Sequence, residues 1–362
     1  MSATGKPKFA AIEAGRGIAA VLVVFHHAGN IMREPRFYGM EPFGGHFRNF
    51  NVGVDFFFVL SGFIITWVHW RDIGQPGRIV DYARKRVLRI FPPYWGILFP
   101  LILLYLIFPA AGKPSQHDPL NILLSIVLLP NTVQPVLGVA WTLTHEIFFY
   151  FLFAGIIATG FRGMLIMPLW ALAIIVGHLA GPLPFPLSFL LSPFNIEFIM
   201  GVGAAWILRR WTVPAPRLVM SVGIAAFLAF MLFAIHIQGD LLVGRLAFGV
   251  PSLLFVLGSV EAERHKPFAL PTIFAVLGAA SYVIYLVHPV LLSFGAQLAF
   301  RIVGHGLPLD VIALVMVTIG VVGGLIYHHT IERWLTNLMR HILAPKAGHP
   351  TSLDRARPVE DR

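Results

Sequence analysis

Cysteine is absent from the 362-residue chain. That excludes a disulfide framework, a thiolate nucleophile and any thiolate metal site. Charge is nearly as scarce, at 12% of residues, where an ordinary soluble domain carries roughly 25%. Acidic residues are the rarer sign, 17 against 27 basic ones, for a net charge of +10. What is abundant is hydrocarbon: 57% of residues are hydrophobic and the mean hydropathy is +0.77. These residues come in runs of about 18–25 between short polar loops, as in a polytopic helical membrane protein. The basic excess then reads as positive-inside anchoring and attraction to anionic lipid, not as a nucleic-acid surface.

The expected fold is all-α, a polytopic bundle of about ten transmembrane helices. Spans are expected near 12–31, 52–70, 87–109, 141–160, 164–181, 190–208, 216–236, 243–260, 272–299 and 309–329. The further apolar run at 120–130 covers only about 16 Å at ~1.5 Å per residue, half of a ~30 Å hydrocarbon core. It reads as an interfacial or re-entrant piece. With ten spans, all of the 27 Lys and Arg residues fall on one side except Arg33, Arg36, Arg48, Lys113, Arg245 and Arg301. The positive-inside rule makes that side cytoplasmic and places both termini there. Lys6 and Lys8 precede the first run, but Arg16 interrupts it and no small-residue cleavage site follows, so the expectation is an uncleaved span. Residues 1–344 form one transmembrane domain, and 345–362 a polar, disordered cytoplasmic tail.

Polar residues inside these spans are functional candidates, because an ionisable group in a bilayer is costly. The first span, GRGIAAVLVVFHHAG at 15–29, holds Arg16, His26 and His27. Eleven residues at ~100° per residue bring His27 back to the face of Arg16, roughly 16 Å along the axis, while His26 lies ~80° away. In the second span, Asp55 lies one turn inside and needs a cationic partner, a histidine or arginine of a neighbouring helix. Ser61-Gly62, near mid-membrane, reads first as close helix packing. YARKRVLRIFPPYW at 82–95 enters the third span. Lys85 there suits membrane anchoring, whereas Arg86 and Arg89 share a helix face at i and i+3 and suit phosphate.

The fourth span opens AWTLTHEIFFY at 140–150, with Glu146 and Tyr150 one turn apart and Trp141 at its start. His145-Glu146 lacks the second histidine of a zinc HExxH helix, position 149 being Phe, so no metal is expected. Glu197 and Gly201 share a face of the sixth span, and Ser281, Tyr285 and His288 share a face of the ninth. Several helices thus supply a polar stripe to the bundle interior.

Together these segments resemble the acyltransferase 3 family of bacterial membrane acyltransferases. The resemblance rests on Arg16 with ten residues before His27, VGVDFFFVLSGFII at 52–65, RKRVLRIFPPYW at 84–95 and WTLTHEIFFY at 141–150. It continues through IEFIMG at 196–201, SYVIYLVHPVLL at 281–292 and IERW at 331–334. Thr142 stands where the family pattern usually has Ser, and His145 where it usually has an apolar residue. The resemblance implies transfer of an acyl group, most often acetyl, from cytoplasmic acyl-CoA to a hydroxyl of an extracytoplasmic glycan or related acceptor. It also implies a multi-pass protein of the bacterial inner membrane, in contact with membrane lipid and not with nucleic acid. Carried over, it points to His27, Glu146 and Arg16 at the reaction centre and to Arg86 and Arg89 for the donor; Asp55 is added as a catalytic candidate on its intramembrane carboxylate alone. Arg84 and Ser61 are further donor-site candidates.

A neutral, desolvated His27 is then expected to act as general base, an acyl-histidine being the alternative. Glu146 or Asp55 is expected to fix the ring tautomer or balance charge, and Arg16 to polarise the donor or bind phosphate. The competing class is a proton-coupled transporter or an exporter of a glycan unit, which the same intramembrane charges would serve.

Overall fold

The computed structural model describes residues 9–233, 241–302 and 304–342. The tail expected over 345–362, Lys6, Lys8 and the end of the run to 236 lie outside the described residues. Nine helical runs among the described residues are long and apolar enough to cross a bilayer. Eight correspond one to one with expected spans. The other, Gly138–Leu179, is 42 residues long and contains two of them. It comprises α5 (Trp141–Thr159), a 3-10 link from Gly160 to Leu165, and α6 (Ile166–Leu179). Gly160 turns the chain there with φ 76°. The count is nine and not ten because this connection is itself helical.

The remaining elements are α1 (Ala10–Met32), α2 (Gly53–Val68), α3 (Ile79–Ile107), α4 (Pro119–Val127), α7 (Asn195–Arg210) and α8 (Pro216–Phe233). They are followed by α9 (Leu241–His265), α10 (Thr272–Ile302), α11 (Leu309–Tyr327) and α12 (Arg333–Ile342). The short apolar run is α4, nine residues started by Asp118, whose carboxylate accepts from the Leu120 and Asn121 amides, and ended by left-handed Leu128. It docks on α3, where the Tyr94 hydroxyl and the Trp95 indole donate to the Ser125 and Ile126 carbonyls at 2.7 and 2.9 Å. It does not qualify as a span.

Small residues set how closely the spans approach. A methyl at Gly62 of α2 would sit 2.1 Å from the Phe198 carbonyl oxygen of α7, and one at Gly201 would sit 2.0 Å from the Val59 carbonyl oxygen. Backbone therefore meets backbone at that crossing. The α1–α10 crossing is built alike, with Gly278 against the Glu13 carbonyl. Three prolines, Pro92, Pro93 and Pro100, lie inside α3. Such helices persist in a bilayer when neighbouring helices pack against them, and α10 ties to α3 beside the prolines through the Tyr282 hydroxyl, which donates to the Ile90 carbonyl at 2.9 Å.

One face of the bundle gathers the start of α1, the end of α2, the start of α3 and the ends of α7 and α9. The Ala10 and Ala11 amides donate to Glu263. Arg209 donates to the Trp67 carbonyl and lies 4.0 Å over the Trp67 ring. Arg264 reaches the Leu208 carbonyl at 2.6 Å. The opposite face carries the 42–52 segment, where Glu41 pairs with both Arg33 and Arg48.

Candidate active site

A cavity open to one side enters the bundle between α1, α2, α3, α5 and α10. Arg16, Arg86 and Arg89 line it together with Glu146, and its apolar wall comes from residues such as Phe57, Leu60 and Ile64. Three guanidiniums against one carboxyl make it a place for a multiply anionic group. Arg16 also holds Glu13, one turn back, at 3.3 Å. The Arg86 guanidinium lies 5.7 Å from the centre of the Tyr150 ring, and its buried Nε–H has no hydrogen-bond partner among the described residues. Deeper in, Ser61 and Tyr150 both donate to Oε1 of Glu146, at 2.9 and 2.5 Å. The i to i+4 spacing on α5 aims Tyr150 back at Glu146. Ser61 is thus a hydrogen-bond donor as well as part of a close-packed face.

The polar stripe of α10 runs past this cavity. Ser281, Tyr282 and Tyr285 line it, and the Tyr285 hydroxyl contacts Thr142 Oγ1 and the Val139 carbonyl, each at 3.0 Å. One turn further, outside the cavity wall, His288 has its ring 5.9 Å from Tyr285 and 4.9 Å from His27. Arg16 and His27 therefore both face α10, but at two depths: Arg16 in the cavity, His27 beyond Tyr285. His27 Nδ1 bonds the Val23 carbonyl at 3.0 Å, and His288 Nδ1 bonds the Ile284 carbonyl at 3.0 Å. A carbonyl only accepts, so both rings carry the proton on Nδ1 and present a lone pair at Nε2. Neither Glu146 nor Asp55 sets the His27 tautomer, contrary to expectation: a helix carbonyl one turn back is nearer than any carboxylate. His26 has both nitrogens engaged, Nδ1 with the Arg48 carbonyl at 2.8 Å and Nε2 with Asn30 at 2.8 Å. Its ring fastens the 42–52 segment to α1.

Asp55 finds its cation in Arg245 of α9, at 2.5 Å. Glu197 of α7 lies against the same pair. All three are buried, Asp55 and Glu197 completely. Asp55, Glu197 and Arg245 stand within five residues of the starts of α2, α7 and α9, so they share one depth near the face opposite the cavity mouth. This places Asp55 and Glu197 in an ion cluster and not on the cavity wall. Trp141 also stands off that wall, edge-on to Phe194 at 4.8 Å. Arg84 pairs loosely with Asp81 at 3.7 Å and does not line the cavity. His145 bonds Asn195 at 2.9 Å and packs on Phe189.

Sequence reasoning missed Arg245, counting it only as one of the few cations on the side opposite the basic face. The signal was its depth, which matches that of two unpaired carboxyls. It also missed Tyr282 and Phe57, which line the cavity but carry no charge to single them out.

A helical bundle with an arginine-lined internal cavity and two facing histidines beyond it defines a polytopic membrane protein with a polar interior site. The chain belongs to the acyltransferase 3 family: the family model, described as an acyltransferase domain, matches residues 9–328. It is accordingly a multi-pass membrane acyltransferase. It is 30% identical over 300 residues, 77% of this chain and 88% of the other, to the exopolysaccharide production protein ExoZ of Rhizobium meliloti (strain 1021). It is also 26% identical over 123 residues, 33% of this chain and 58% of the other, to protein 2 in the picA locus of Rhizobium radiobacter. No solved structure shows a significant match.

Proposed function

We propose that this acyltransferase moves an acyl group, acetyl in the first instance, from acyl-CoA to a hydroxyl of an exopolysaccharide or related glycan on the other side of the bacterial cytoplasmic membrane. The observation that carries the reading is the convergence of Arg16, Arg86 and Arg89 on one cavity that backs, through Tyr285 and His288, onto His27. The cavity mouth lies on the basic face, which the positive-inside rule makes cytoplasmic along with both termini. The donor's phosphates sit among the arginines there, and its pantetheine arm runs along the apolar wall toward Tyr285. The acceptor comes from the opposite face, as suits a relative named for exopolysaccharide production.

His27 acts as general base through the Nε2 lone pair that its bond to Val23 leaves free. The acceptor oxygen attacks the thioester carbonyl carbon as its proton passes to Nε2. The carbon–sulfur bond breaks, sulfur leaves with the electron pair, and the thiolate takes the proton back from the imidazolium. Tyr285 stands between thioester and base and must turn aside for them to meet. Glu146, held by Ser61 and Tyr150, balances the arginines and keeps Tyr150 against the donor path.

The test is acetyl-CoA consumption by the purified protein with and without acceptor oligosaccharide. Acceptor-dependent release of CoA that His27→Ala abolishes is the expected result. Full turnover in His27→Ala removes the base assignment. Glycan movement without acetyl-CoA consumption replaces the reading with transport.

A further inference from the structure

Where α2 ends, another buried histidine is built into the basic face. His69 follows Ile65 by one turn, and Ile65 lines the cavity. Its side chain is 2% exposed. Nδ1 bonds Asp72 Oδ2 at 2.7 Å, and Arg78 donates to the other oxygen of Asp72 at 3.3 Å. A carboxylate only accepts, so the ring proton is on Nδ1. Nε2 is then an acceptor, buried and without a hydrogen-bond partner among the described residues. Tyr82 packs edge-on against the ring at 4.9 Å, and the Arg86 guanidinium lies 6.0 Å from the centre of the Tyr82 ring. Arg86 carries the matching orphan, its Nε–H donor. The charged groups acting on His69 are Asp72 beneath it and Arg86 and Lys85 from α3.

Burying two such polar atoms unpaired is costly; Arg86 lines the donor cavity, and His69 lies one helical turn beyond Ile65, which lines it too. A phosphate oxygen satisfies the Arg86 donor directly. It satisfies His69 Nε2 only if that nitrogen carries a proton, because a phosphate oxygen and a neutral imidazole nitrogen are both acceptors. We infer that His69 is a further donor-binding residue, which takes up one proton at Nε2 when a donor phosphate docks against Arg86. The inference rests on the reading of the cavity as an acyl-CoA site.

Burial, reinforced by Arg86, lowers the pKa of His69 below its ordinary value, so the ring is neutral before binding. The docked phosphate and Asp72 stabilise the imidazolium. Binding coupled to uptake of one proton tightens as pH falls, by at most about tenfold per pH unit. The 3′-phosphate of CoA, with a pKa near ~6, pulls the other way by losing charge at low pH. Dephospho-CoA, whose diphosphate does not titrate there, separates the two.

The experiment is calorimetric titration of the full-length, detergent-purified protein with CoA and with dephospho-CoA. It is run at several pH values in two buffers of different ionisation enthalpy, so that the heat difference counts protons. The expected result is proton uptake by the wild type that is lost in His69→Gln and in Asp72→Asn, with weaker CoA binding in both. Asp72→Asn keeps the ring and the side-chain volume at position 72, which guards against a folding defect at position 69. An unchanged proton count in variants that bind CoA overturns the role of His69 alone. No binding of CoA or dephospho-CoA to the wild type overturns the donor reading, and this inference with it.

Discussion

His27 of α1 and His288 of α10 face each other with ring centres 4.9 Å apart, each holding a backbone carbonyl of its own helix through Nδ1. Each Nε2 is left free by that bond, and His288 Nε2 is buried with no hydrogen-bond partner among the described residues. That relationship separates the roles of the three histidines clustered there.

His27→Ala is expected to lower acetyl transfer by about 10²–10⁴-fold, the usual contribution of a general base, while leaving CoA affinity unchanged. His288→Ala is expected to lower the turnover number with little change in KM for acetyl-CoA, because the ring touches His27 and not the donor cavity. His26→Ala is expected to keep turnover and lose thermal stability, since both nitrogens serve the fold. Initial rates against acetyl-CoA concentration, with melting curves in detergent, check all three. A turnover loss confined to His26→Ala would reverse the assignment.

Arg89→Ala is expected to weaken CoA binding about tenfold, the scale of one charge-assisted hydrogen bond at ~1.5 kcal/mol. Arg84→Ala, whose partner is Asp81 outside the cavity, is expected to change it by less than about twofold, as surface ion pairs do. Calorimetric titration of the two variants side by side decides the point.

The Asp55–Arg245–Glu197 cluster predicts strong non-additivity. Removing one member of a buried ion pair leaves its partner's charge uncompensated, at a cost of about 3–5 kcal/mol. Arg245→Met alone is expected to lower the melting temperature sharply. Combining it with Asp55→Asn and Glu197→Gln is expected to restore most of the loss. Equal melting temperatures for the single and triple variants would show that the charges do not compensate one another.

The α2–α7 crossing tolerates no side chain. Gly62→Ala and Gly201→Ala are each expected to destabilise by about 1–3 kcal/mol through overpacking, since the new methyl meets a carbonyl at 2.1 or 2.0 Å. Gly203→Ala, on the same helix with no atom near its added methyl, is the control, expected to be neutral or slightly stabilising. Thermal unfolding monitored by tryptophan fluorescence reads the contrast.

The sequence by itself determined the span positions, the basic face and the depth of each polar residue along its helix. A bilayer makes these nearly one-dimensional: about twenty apolar residues cross it, and cations collect at one side. The same reasoning put Arg16 and His27 on one face, and both do turn toward α10. It also kept the run at 120–130 out of the span count, and α4 is nine residues long. Helical phase within one segment says nothing about which neighbour stands opposite. Only the tertiary structure paired Asp55 with Arg245, and only it set the Arg48 carbonyl against His26. It likewise placed Tyr285 between the arginine-lined cavity and the histidine pair. Those outcomes depend on helix order and crossing distance, which small residues such as Gly62, Gly201 and Gly278 decide through contacts between segments far apart in the chain.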